Sequence, residues 1–94
     1  VGHFYCVGEN PSDLLRSMKE LIEHIHLEDI AADREHHHLM LGHGAIDLPD
    51  VLCTIEEIGF TGFVTVELYT YEHAAEEAAR EAFDYLEKWK AGTL

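Results

Sequence analysis

The stretch IEHIHLEDI, residues 22–30, poses the question on which the fold turns. Side chains along a strand alternate between two faces, so Ile25 and Leu27 share one side while His24, His26 and Glu28 share the other. A strand flanked by helical segments and covered on both faces reads as a nearly continuous apolar run. This one is apolar on one face only. Its other face lines up two imidazoles and a carboxylate.

Working outward, Val1 to Cys6 is short and apolar with His3 inside it, and reads as the tail of a strand. Asn10-Pro11-Ser12-Asp13 starts a helix: Asn10 can cap, Pro11 suits the first turn, and Asp13 favours the positive end of the macrodipole. Leu14, Leu15, Met18, Leu21 and Ile22 follow at helical spacing. After the strand comes a polar, histidine-rich loop over residues 31–46. Asp47 caps a second helix, with Pro49 in its first turn, Val51, Leu52, Ile55 and Ile58 on one side and Gly59 as the stop. GFTGF turns the chain and FVTVELY makes a third strand. A last helix is expected over about 72–90, with Ala75, Ala78, Ala79, Ala82, Phe83, Leu86 and Trp89 as its apolar stripe.

Strands alternating with helices signal parallel β/α units. In the third strand, Val64, Val66 and Leu68 are expected to face helices, Thr65, Glu67 and Tyr69 to face the opposite way, and Phe63 to sit at the base. His3 and Tyr5 share a face in the first segment. A doubly wound open sheet needs apolar residues on both faces. A closed barrel does not, because its second face is the interior, which near the C-terminal rim becomes the floor of a site. The expected architecture is α/β: about three strands and three helices from the C-terminal end of a (β/α)8 TIM barrel. Residues 1–94 are then one partial domain, since a whole barrel takes about 250 residues. Such a piece is expected to be inactive alone and to need the rest of the barrel, or other copies of itself, as a partner.

Composition narrows the partners. The formal charge is −13 with six Lys plus Arg, a surface that repels phosphate backbones, so no nucleic-acid partner is expected. Eight histidines would offset much of that charge below about pH 6.5. Cys6 and Cys53 form no C-x-x-C pair and read as buried small hydrophobes rather than a disulfide. No signal peptide or transmembrane run is evident, so the expected setting is cytoplasmic, with no membrane partner.

At GHFY, HIHLED, LMLGHGAID and GFTGFVTVELY the chain resembles the xylose isomerase-like TIM-barrel superfamily. That group includes sugar and sugar-phosphate isomerases and epimerases, polyol dehydratases and the endonuclease IV type of DNA-repair enzyme. The four pieces match the last three strand regions of that fold in order and spacing, over nearly the whole chain. The resemblance implies a metal ligand at His26, in its H-L-x-D context, and a second at Glu67, which in the epimerases also shuttles a proton. His3 matches the His of a D-x-x-H motif whose Asp would immediately precede Val1. Four residues before the first Gly of LGHG, epimerases carry a substrate-binding Arg and the endonuclease branch ends a D-x-H. Here that position is His38, with His36 in place of the Asp, so substrate and a second metal both remain open for it. His3 and His38 are the substrate-binding candidates.

The chemistry implied is proton transfer. A divalent ion such as Mn²⁺, Zn²⁺, Co²⁺ or Mg²⁺ polarises the carbonyl of a sugar or polyol, and a carboxylate takes the adjacent C–H proton to give an enediolate. Glu67 is the catalytic candidate in a metal-dependent sugar or sugar-phosphate isomerase or epimerase. The alternatives are an endonuclease IV-like phosphodiesterase and a non-catalytic metal-binding or self-assembling fragment. Other polar groups have plainer readings. His24 is explained by packing or a hydrogen bond. His36 and His37 suit a solvated loop. Glu28 and Asp29 either orient His26 from behind or are solvated. Gly42 and Gly44 suit a tight turn. The acidic run at Glu76, Glu77, Glu81 and Glu87 suits an outer helix face.

Overall fold

The computed structural model describes residues 1–67 and 74–92. Its elements are α1 (Gly2–Cys6), α2 (Pro11–Ser17), β1 (His24–Leu27), α3 (Leu48–Glu57), β2 (Phe63–Val66) and α4 (Ala75–Lys90). β1 and β2 pair in parallel, with His24 opposite Phe63, Ile25 opposite Val64, His26 opposite Thr65 and Leu27 opposite Val66. α3 lies in the connection between them, as a parallel crossover requires.

Both helix starts form as their sequences dictate. The Asn10 side chain accepts the Asp13 N–H at 3.0 Å, and the Asp47 side chain accepts the Asp50 N–H at 3.2 Å. Each cap removes an orphan donor from a first turn that already contains proline. α2 and α3 then lie side by side. The Ser12 hydroxyl donates to Asp50 at 2.6 Å, and Arg16 donates to Thr54 and Glu57. Below these polar links, Leu15 joins Ile25, Leu27, Ile30, Leu48, Val51, Leu52 and Ile55 in one apolar core. Leu27 is wholly buried, a burial that contributes about 2 kcal/mol.

Several expectations are corrected. The segment after Val1 is a helical turn, not a strand. The Val1 amine reaches the His26 carbonyl on the edge of β1, and the Gly2 N–H reaches the Glu28 side chain just past its end. Beyond them no strand neighbour is present among the described residues, and the backbone closes its own bonds, Tyr5 N–H to Val1 O and Val7 N–H to His3 O. Cys53 is exposed, because the buried seam of α3 runs 48, 51, 52, 55 and Cys53 falls a third of a turn away; both cysteines are free. β2 is less covered than expected, with Phe63 81% and Val64 39% exposed. α4 does not shield them. Its buried Ala78 and Ala82, followed by half-buried Tyr85, Leu86 and Trp89, leave Ala75, Ala79 and Phe83 exposed. The helix packs instead on the glycine loop, where Tyr85 borders Gly42 and His43 bonds Glu81 at 2.6 Å. Leu68, Tyr69 and Glu72 lie outside the described residues. No described helix is long and apolar enough to cross a membrane.

The loop after β1 is organised by one carboxylate. Asp29 is fully buried; Oδ1 accepts the N–H groups of Ile30 and Ile46, and Oδ2 those of Gly42 and Gly44. It neither orients His26 nor meets solvent, as the sequence reading had allowed. A Cβ at Gly44 would run into the Asp29 carboxylate and the Ile30 carbonyl, so the loop closes this tightly only with glycine there. Asp29→Ala is expected to lower the stability of the intact protein by about 3 kcal/mol or more, through four orphaned donors. Urea denaturation measures this. An unchanged midpoint would mean that apolar contacts alone hold the loop.

Candidate metal centre

The polar face of the two-stranded sheet assembles by register. In each cross-strand contact the histidine reaches the residue two beyond its own partner: His24 Nε2 meets Thr65 Oγ1 at 2.8 Å, and His26 Nδ1 meets Glu67 Oε2 at 2.9 Å. Glu67 is held there because its N–H continues the parallel ladder to the Leu27 carbonyl at 3.0 Å. A carboxylate only accepts, so the His26 nitrogen donates. The His24 and His26 rings touch edge-on at 4.7 Å. His24 is thus occupied within the sheet.

Beyond the end of β1 the alternation continues, and Glu28 emerges on the same side as His26. It is buried, 3% exposed, and its Oε1 accepts the Gly2 N–H at 2.6 Å. A Cβ at Gly2 would collide with this carboxylate, so the close approach of α1 depends on glycine. Opposite, a single antiparallel bridge between Asp29 and Leu39 carries His38 back over the strand ends. His38 is also 3% exposed, and its Nδ1 donates to the Glu67 carbonyl at 3.2 Å. One ligand atom each from Glu28, His38 and Glu67 lie within 4.8 Å of one another. His26 joins this group through its bond to Glu67.

Around the carboxylates lies a chain of imidazoles. His38 Nε2 and His36 Nε2 are 3.0 Å apart, and His3, exposed on α1, meets the His36 ring edge-on at 5.6 Å. His37 is exposed. The Glu67 carboxyl is held below its ordinary value, first by the hydrogen bond from His26 and then by the fields of His38, His26 and His36; burial opposes them. A separate cleft of about 290 Å³, lined by Tyr5, Ser12, Arg34 and Asp47 among others, includes none of these ligands.

The geometry therefore gathers His26, Glu67 and His38 at the strand ends and sets His3 at the rim by way of His36. Glu28 was visible in the sequence as a member of the polar face, but alternation alone gave no sign that His38 would fold back against it.

A family model described as xylose isomerase-like TIM barrel matches residues 1–89. The chain belongs to this family. An inosose isomerase of Halalkalibacterium halodurans is 34% identical over 90 residues, 87% of this chain and 32% of that protein. One from Bacillus licheniformis is 35% identical over 88 residues, 85% of this chain and 32% of its own length. An inosose dehydratase of Clostridium beijerinckii is 30% identical over 82 residues, 70% of this chain and 28% of that protein. The chain spans about a third of the length of the curated relatives it matches. Membership makes the two-stranded sheet part of a (β/α)8 barrel.

The depressed Glu67 pKa gives a pH dependence of defined sign. The folded state favours the carboxylate, so the His26–Glu67 interaction stabilises fully above the ordinary value of 4.5 and is lost as pH falls through the lower folded value. His26→Ala is expected to raise the Glu67 pKa toward 4.5, as read by carboxyl-carbon NMR. No movement would mean that His38 and His36 alone set it.

Proposed function

We propose that this chain supplies the proton-transfer end of a metal-dependent isomerase acting on a cyclic polyol ketone or related sugar. The observation that carries the reading is Glu67: a carboxylate at the end of an inward-facing strand, kept ionised by imidazoles and half open to the interior. Similarity to inosose isomerases supports the reaction class.

In this reading Glu67 accepts the proton from the carbon next to the substrate carbonyl, and the proton returns at the neighbouring carbon. The enediolate between the two steps accounts for isomerisation without any change in oxidation state overall. His26 donates to Glu67 and sets which carboxylate oxygen faces the substrate. His3, exposed at the rim of α1, contacts substrate hydroxyls.

The donor chemistry fits a divalent cation. His26 and Glu67 set an imidazole and a carboxylate side by side at the strand ends, donor types that suit such an ion. When bound, such an ion supplies Lewis-acid polarisation of the substrate carbonyl. The exposed Phe63 and Val64 edge of β2 is covered, in this reading, by the rest of the barrel. The chain's acidity weighs against the phosphodiesterase alternative, which needs a basic rim.

Glu67→Gln in the intact protein is expected to lower kcat for inosose isomerisation by about a thousandfold, in the range for loss of a general base. Exchange of the substrate α-proton with deuterated solvent should disappear with it. Full turnover by Glu67→Gln would remove Glu67 from the chemistry.

A further inference from the structure

Glu28 has one oxygen that the fold leaves unanswered. Oε1 takes the Gly2 N–H at 2.6 Å and lies 3.7 Å from the Val1 amine, while Oε2 is buried with no hydrogen-bond partner among the described residues. An unpaired oxygen of a buried carboxylate is costly. A cation bound there answers it.

We propose that a divalent cation binds between Glu28, His38 and Glu67, at a position separate from the one that His26 shares with Glu67. The three ligand atoms lie within 4.8 Å of one another. Ligands of a first-row ion at about 2.1 Å stand about 3 to 4 Å apart, so small side-chain rotations close the set. The protonation pattern also fits. His38 Nδ1 faces a carbonyl, which can only accept, so that nitrogen carries the proton and Nε2 is the lone-pair nitrogen of the neutral ring. An imidazole whose second nitrogen donates to a backbone carbonyl is oriented as metal-bound histidines usually are. His36 Nε2, 3.0 Å from His38 Nε2, donates to that lone pair in the absence of a cation and gives it up when one binds.

Two carboxylates and a neutral imidazole cancel a double positive charge in a corner where two of the three side chains are almost fully buried. Sharing Glu67 places the second position beside the first, so Glu67 bridges the two as carboxylates do in paired metal sites. His38 is thereby assigned to the cation rather than to the substrate. The inference deepens the isomerase reading, and only its catalytic use rests on that reading; cation binding is read out by itself.

The test is a titration of EDTA-stripped intact protein with Mn²⁺, followed by the electron paramagnetic resonance of the free ion, with thermal melts in parallel. Wild type is expected to bind, Glu28→Gln to bind at least about tenfold more weakly at this position, and His26→Ala to retain it. Glutamine keeps the oxygen that serves Gly2 and removes the charge. Whatever its Tm in EDTA, Glu28→Gln should therefore lose the rise in Tm that Mn²⁺ gives. No binding by wild type, unchanged binding by Glu28→Gln, or an equal fall in Tm with and without Mn²⁺ overturns the proposal. Glu28-dependent binding in a protein that turns over no polyol keeps this site and ends the isomerase reading. Turnover without Glu28-dependent binding does the reverse.

Discussion

Four backbone N–H groups converge on the Asp29 carboxylate, and the site depends on that convergence. A polar loop of this length has more ways to be open than closed, and ordering its backbone is opposed by conformational entropy. Charge-assisted bonds to one buried acceptor offset that entropy at several residues at once. They draw Gly42, Gly44 and Ile46 down onto the strand end, while the bridge between Asp29 and Leu39 fixes the outgoing arm. His38 lies on that arm. Its proximity to Glu28 follows from where Asp29 pulls the loop rather than from any attraction of its own.

Glu28 and Asp29 show how two adjacent acids come to different uses. Strand alternation sends them to opposite sides. Asp29 turns toward the glycine loop and meets N–H donors for both oxygens. Glu28 turns toward the polar face and meets a donor for one. The same alternation on β2 brings Glu67 alongside, because its N–H extends the ladder one step past the last regular pair. The carboxylates thus sit just beyond the last regular pair of the ladder.

Much of this was legible beforehand. The helix caps at Asn10 and Asp47, the parallel order of elements, the apolar side of Ile25 and Leu27 and the shared face of His26 and Glu67 all follow from local rules. Those rules require only a period, a cap or a proline. What could not be read depended on contacts between distant segments. The burial of His38 requires a loop path set by Asp29; only its position four residues before Gly42, matched by resemblance, singled it out, and EHHH itself carries no sign of burial. Cys53 was misplaced on the α3 wheel: with Leu48, Val51, Leu52, Thr54 and Ile55 buried, it falls on the far, solvent side. The first segment has strand-like composition, but composition cannot supply a hydrogen-bonding neighbour. Phe83 sits at helical spacing from Ala79 and Leu86, yet α4 turns its other side toward Gly42.

The two ends of the small sheet are enclosed very differently, and the difference has a physical cause. At the strand starts, Phe63 is largely exposed and Val64 partly so. At the strand ends, Leu27, Glu28, Asp29 and His38 are all nearly inaccessible. Apolar side chains on a strand can wait for a neighbouring unit to cover them, since exposure costs them only their own hydration. Buried polar groups cannot, because each demands specific partners at specific distances. The chain supplies most of those partners itself, from α1, the bridge at Leu39 and the glycine loop, with Glu28 Oε2 the exception. Enclosure of the polar corner is therefore largely local, whereas the described residues leave the apolar edge open.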